Sequence, residues 1–181
     1  MPLPVDGALA ELHAALDHQH LVILQAPPGT GKSTRVPSSL IEQPWVGERK
    51  VLMLEPRRVA ARAAATRMAE ERGEQVGDTI GLRTRNDTRV SAITRVEVVT
   101  EGVLTRMLLD DPALEGYAVV LFDEFHERSI HTDTALAFLR ETVGALRPDL
   151  RIVVMSATFD AEALGARLRT DAVVTVEAER H

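Results

Sequence analysis

The chain contains no cysteine, which excludes a disulfide framework and any thiolate metal site. Aromatic residues make up only 3% of it, so the core has to be assembled from Leu, Val, Ile, Ala and Met, and stacking platforms for bases are scarce. No apolar run approaches the roughly 18 residues that a membrane-spanning helix needs. The first residues, MPLPVDGALAEL, place no basic segment ahead of an apolar one and do not read as a secretory signal. A cytoplasmic protein with no membrane partner is expected. Lysine is also nearly missing: of 21 cationic residues only Lys32 and Lys50 are lysines. Each of those two positions therefore asks for a reason.

What remains is the composition of a single globular domain spanning residues 1–181, 45% hydrophobic and 27% charged. That length can bury roughly 70% of the extended-chain surface. The net charge of −6 argues against a surface that binds nucleic acid as a whole. Between Arg57 and Arg95, however, nine arginines face five acids, so a local basic face is compatible with an acidic total.

Short apolar runs, LVILQ (21–25), KVLML (50–54), RVEVV (95–99), YAVVLF (117–122), RIVVM (151–155) and AVVTV (172–176), alternate with stretches of helical spacing. Helices are expected over 5–16, from Pro56 to about Glu71, over 101–109, over 131–146 and over 161–168. Strands that are apolar throughout and separated by helices indicate a mostly parallel sheet with helices on both faces, an α/β fold. Residues 73–94 are polar and dotted with glycine, and read as loop with one short strand.

QAPPGTGKST (25–34) follows the first apolar run and precedes a helical pattern, the setting a P-loop requires. Gly29 and Gly31 permit backbone angles that other residues resist. The N–H groups of Gly29, Thr30, Gly31, Lys32, Ser33 and Thr34 can then converge on an anion at a helix N-terminus. Lys32 supplies a mobile charge for the β- and γ-phosphates of ATP, and the Ser33 hydroxyl is placed to ligate Mg²⁺. Ala26 stands where the pattern has its first glycine. Pro37, about one turn into the helix, removes a bond to the Ser33 carbonyl, so a kink or restart is expected there.

LFDEFHERS (121–129) places Asp123, Glu124 and His126 just past a buried strand. In a doubly wound sheet that edge is where ligands bind. Asp123 can hold Mg²⁺ opposite Ser33, and Glu124 is then free to orient or deprotonate water. His126 either relays between the nucleotide and other parts or caps a turn. A zinc site from Asp123, His126 and His131 lacks a convincing ligand spacing, and a solvated turn is the plainer alternative.

APPGTGKS, PRRVAAR (56–62), TEGVLTR (100–106), DEFH (123–126) and SAT (156–158), in that order, resemble the first RecA-like lobe of DEAH-box RNA helicases of superfamily 2. Among these helicases they resemble the bacterial HrpB type. The resemblance covers 5–176 and implies a RecA-like P-loop domain with Mg·ATP hydrolysis, Lys32, Asp123, Glu124 and His126 being catalytic. It also implies that Arg67 stacks on adenine, that Arg57, Arg58, Arg95 and Thr100 contact the backbone of a single-stranded nucleic acid, RNA above all, and that Ser156 and Thr158 couple hydrolysis to strand movement. Solvated arginines and simple helix capping by Thr100, Ser156 and Thr158 are the alternatives. Phe125 stands where the family has Ala, and its side chain is expected to point into packing. Such helicases carry a second RecA-like lobe with arginine fingers in a Q-x-x-G-R-x-G-R motif. Nothing like that motif occurs in these residues, so a fragment of a longer protein is expected. A nucleotide-dependent binding module without turnover, or a P-loop kinase indifferent to RNA, are the competing functions.

Overall fold

The computed structural model describes residues 2–157 and 161–177. The apolar runs form strands β1 (Leu21–Gln25), β2 (Lys50–Leu54), β5 (Val96–Val99), β6 (Tyr117–Phe122), β7 (Arg151–Ser156) and β8 (Val173–Thr175), joined by β3 (Ile80–Arg83) and β4 (Thr88–Arg89). All eight lie in one sheet of order β4-β3-β5-β2-β6-β7-β1-β8. Every pairing is parallel except that of β3 with β4. Among the described residues no helix is long and apolar enough to cross a membrane.

The helices are α1 (Leu9–His18), α2 (Lys32–Leu40), α3 (Arg58–Glu71), α4 (Glu101–Asp110), α5 (Ile130–Ala145) and α6 (Ala161–Leu168). They divide between the two faces of the sheet. Leu12 and Leu16 of α1, Val36 and Leu40 of α2, and Ala61, Ala65 and Met68 of α3 pack with Val22, Leu24, Val51 and Val119 on one face. Leu104 and Leu108 of α4, Leu136 and Leu139 of α5, and Ala161 and Leu164 of α6 pack with Ile23, Leu52, Val120 and Ile152 on the other. Alternate residues of each central strand thus feed opposite cores, which is why these strands are apolar throughout. Glu97 is the exception in β5. It is fully buried, and it is matched by Lys50 Nζ at 2.7 Å and by the Tyr117 hydroxyl, which donates to it at 2.8 Å. Lys50 thereby has its reason.

Three expectations need correction. Residues 73–94 hold two strands, not one: β3 joins the parallel sheet and β4 folds back on it, with Leu82 opposite Arg89. Both residues of β4 are exposed, so no apolar alternation marks it. Gly81 makes the close approach possible, because a Cβ there would lie 2.8 Å from the side chains of Thr94 and Val90. The helix expected from residue 5 begins instead as a 3-10 turn, Pro4–Ala8, and becomes α-helical only at Leu9. Pro37 causes no restart: α2 continues through it to Leu40 with the proline ring buried. Only one ladder bond is lost, and burial of the ring offsets it.

The expectation for Phe125 holds. It is 3% exposed and meets Phe122 edge-to-face at 6.5 Å between ring centroids. Replacing Phe125 with Ala is expected to cost about 3 kcal/mol of stability through the cavity it leaves. Denaturant unfolding checks this, and a loss below about 1 kcal/mol would show that the ring adds little to the packing.

Candidate active site

The P-loop leaves β1 at its carboxyl end. Gly29 has φ +78° and Gly31 φ +90°, left-handed values that a side chain would strain. Gly31 is the N-cap of α2, and its carbonyl accepts from the N–H of Arg35 at 2.9 Å. The Thr30 hydroxyl donates to the Pro27 carbonyl at 2.8 Å and closes the loop. Lys32 and Ser33 open the helix, with Lys32 only 5% exposed. A cavity of about 160 Å³ lies here, its walls including Leu3, Gly29, Ser33, Thr34 and Arg67. Arg67 comes from α3 and is tethered to Glu71 through Nε at 3.4 Å.

β6 ends two strands away from β1, with β7 between them. Asp123 follows β6 and is fully buried. Its Oδ1 accepts from the Glu124 N–H at 2.8 Å, while Oδ2 is buried with no hydrogen-bond partner among the described residues. Glu124 sits in the left-handed region at φ +49°, which for a non-glycine residue costs about 1–2 kcal/mol. That twist turns its carboxylate toward the loop: Oε1 accepts from Lys32 Nζ at 2.7 Å. Its Oε2 lies 3.1 Å from His126 Nε2, and His126 Nδ1 lies 3.1 Å from Ser156 Oγ at the end of β7. Lys32, Glu124, His126 and Ser156 therefore form one chain of contacts across three strand ends. Ser156 closes that chain. Thr158 lies outside the described residues.

Burial pushes the Asp123 carboxyl above the usual range, and the Glu124 charge adds to this. Lys32, the Ser33 hydroxyl and the Glu124 N–H pull the other way. A buried carboxylate oxygen without a partner, beside a hydroxyl, is an all-oxygen donor set of the kind Mg²⁺ takes. Ser33 and Asp123 fit that ion. The zinc set does not assemble: among the described residues the ligand atoms that converge within 4.8 Å belong to Glu124, His126 and Glu127, and Glu127 is also paired with Arg57 at 2.7 Å.

Sequence reasoning passed over Glu55. It follows β2 directly, is 2% exposed, and has a buried Oε1 with no hydrogen-bond partner among the described residues. Its pKa is pushed up to about 9, first by burial and then by the neighbouring Asp123 carboxyl. The raised pKa of both carboxyls lowers the cost of facing two acids toward each other in the interior. The signal was available: Glu55 ends an apolar strand just as Asp123 does.

Arg57 and Thr100 are the N-caps of α3 and α4, at the carboxyl ends of the neighbouring strands β2 and β5. The Thr100 side chain makes no capping bond to α4, so its hydroxyl does not serve as a simple helix cap. Arg58 is exposed in the first turn of α3. Arg95 is elsewhere. It precedes β5, at the amino edge of the sheet, and its guanidinium donates to the carbonyls of Gly47 at 2.6 Å and Arg49 at 3.4 Å. The structure does not bring it to the face that Arg57, Arg58 and Thr100 share.

The Glu55 shift has a sign. Between the ordinary value of 4.5 and about 9 the folded protein keeps a proton that the unfolded chain releases. Stability is therefore full below that window and falls as pH rises through it. Glu55→Gln is expected to flatten the decline of Tm across this range, measured without metal or nucleotide, and an unchanged slope would contradict the assignment.

Residues 9–165 match the family model described as DEAD/DEAH box helicase. The chain is 49% identical over 175 residues to the Escherichia coli ATP-dependent RNA helicase HrpB, covering 97% of this chain and 22% of that protein. It is 38% identical over 162 residues to the human "Probable ATP-dependent RNA helicase DHX35", covering 88% of this chain and 23% of that one. The crystal structure of the E. coli DExH-box NTPase HrpB superposes with a TM-score of 0.93 at 48% identity, over 98% of this chain and 22% of the other. The chain thus spans less than a quarter of the length of these relatives. With its P-loop and acidic strand end meeting at one sheet edge, the chain belongs to the DEAD/DEAH box helicase family.

Proposed function

We propose that this chain is the ATP-binding lobe of an ATP-dependent RNA helicase of the cytoplasm. In the whole protein, Mg·ATP hydrolysis would drive movement along single-stranded RNA once a second RecA-like lobe closes on this one. The observation that carries the reading is the meeting of Lys32, Ser33, Asp123 and Glu124 around a buried, unpartnered Asp123 oxygen. The names of the relatives, an ATP-dependent RNA helicase and a probable one, agree with it.

The phosphates bind the N–H groups of Gly29 to Thr34 and the start of α2. Lys32 exchanges its bond to Glu124 for the β- and γ-phosphates. This frees one Glu124 oxygen to take a proton from the water that attacks the γ-phosphorus, while the bond to the β–γ bridging oxygen breaks. His126 holds the other Glu124 oxygen, and Ser156 fixes His126 from behind. Ser33 and Asp123 would hold Mg²⁺, which would supply positive charge to the phosphates. Thr34 and Arg67 line the cavity that leads away from the phosphates, where the nucleoside fits. Arg57, Arg58 and Thr100 offer an RNA backbone two adjacent helix N-termini and two guanidinium groups, contacts that give affinity without sequence choice.

The Lys32–Glu124 bond also suits a second reading, a binding module whose base stays neutralised. Two variants separate them. Lys32→Ala is expected to weaken ATP binding at least about tenfold. Glu124→Gln is expected to keep binding and lose turnover by about 10²-fold or more. Turnover unchanged by Glu124→Gln would favour the binding module. Arginine fingers are worth about 10³–10⁵ in rate, so residues 1–181 alone are expected to hydrolyse ATP very slowly and not to unwind. Robust duplex unwinding by them would contradict the proposal.

A further inference from the structure

The N-terminal stretch is built onto the P-loop. The Val5 N–H donates to the Thr30 carbonyl at 3.1 Å, a bond to the loop itself. The Leu3 N–H donates to Asp6 Oδ2 at 2.7 Å, and Asp6 Oδ1 lies 3.7 Å from Arg35 Nε in the first turn of α2. The Leu3 side chain presses on Gly31: a Cβ at that glycine would lie 2.5 Å from Leu3 Cδ1. Gly31 is required by its backbone angle, and a side chain there would also displace the leucine. Leu3 is only partly buried, and its side chain forms one wall of the 160 Å³ cavity that runs past Ser33 and Thr34 to Arg67.

An isobutyl group offers nothing to a phosphate. It has no donor and no charge, and it would exclude the water that solvates the anion. The phosphates already have the loop N–H groups and Lys32. Beyond them the cavity reaches Arg67, and the part of a nucleotide that extends from its phosphates is a sugar and a base, both with apolar faces. An aliphatic wall and a guanidinium plane suit those faces.

We propose that Leu3 is a nucleotide-binding residue: it packs on the ribose and base of the bound nucleotide, together with Arg67, and so selects a nucleotide over a bare polyphosphate. The inference rests on the nucleotide reading of the P-loop. Leu3 and its N-terminal neighbours are then part of the site rather than a leader to α1.

The test is calorimetric titration of the 181-residue chain, in Mg²⁺, with ATP and separately with inorganic tripolyphosphate. Leu3→Ala is expected to weaken ATP about three- to tenfold, from the loss of apolar contact area, and to leave tripolyphosphate within about twofold. Unchanged tripolyphosphate binding also reports that the loop is still folded. Leu3→Met, which keeps the apolar volume, is expected to bind both ligands as wild type does. Equal weakening of both ligands by Leu3→Ala would overturn the inference and make Leu3 only a prop for the loop. Unchanged ATP affinity would overturn it as well. Failure of the unaltered chain to bind either ligand would instead refute the nucleotide reading beneath it.

Discussion

Lys32 and Glu124 are 92 residues apart in the chain, and their side chains meet at 2.7 Å. Lys32 is almost fully buried, and an unpaired ammonium there would cost several kcal/mol of desolvation. Glu124 meets that requirement. On the proposed function, the same contact keeps the ammonium positioned for exchange with a triphosphate. Around this contact the other parts arrange themselves: Gly29 and Gly31 bend the loop so that Lys32 points inward, and the left-handed turn at Glu124 brings the carboxylate to it.

The parallel sheet makes this possible. Because nearly all strands run the same way, their carboxyl ends share one edge, and whatever follows an apolar run arrives there. The P-loop after β1, Glu55 after β2, Thr100 after β5, Asp123 after β6 and Ser156 at the end of β7 all obey that rule. The helices α2, α3 and α4 begin at the same edge, so their N-termini add partial positive charge where anions would bind. Burial raises the pKa of both Glu55 and Asp123, which lowers the cost of placing two carboxyls side by side here.

Much of this was legible. The apolar runs marked the central strands and the layering of the helices, since each strand supplies residues to both cores. The glycines and the lysine of GKST marked the cradle, and the acids after YAVVLF marked its partner. The hairpin of β3 and β4 was less legible, because its second strand is two exposed polar residues whose position depends on contact with Gly81. Arg95 resembled a strand-contacting residue, yet it stands before its strand, and chain direction alone puts it at the opposite edge. Leu3 gave no signal: a leucine near an N-terminus looks like the start of an amphipathic helix, and only its packing on Gly31 connects it with the cradle. Glu55 was missed although the rule that found Asp123 applies to it equally.

The central claim is that the P-loop and the acids after β6 face one pocket and hold a magnesium-bound triphosphate between them. Calorimetric titration of ATP into the chain, with Mg²⁺ and then with the ion chelated, tests it when repeated on Asp123→Asn. The account predicts that Mg²⁺ tightens ATP binding to the unaltered chain and that Asp123→Asn removes that gain while ATP still binds. The full Mg²⁺ effect persisting in Asp123→Asn would contradict it.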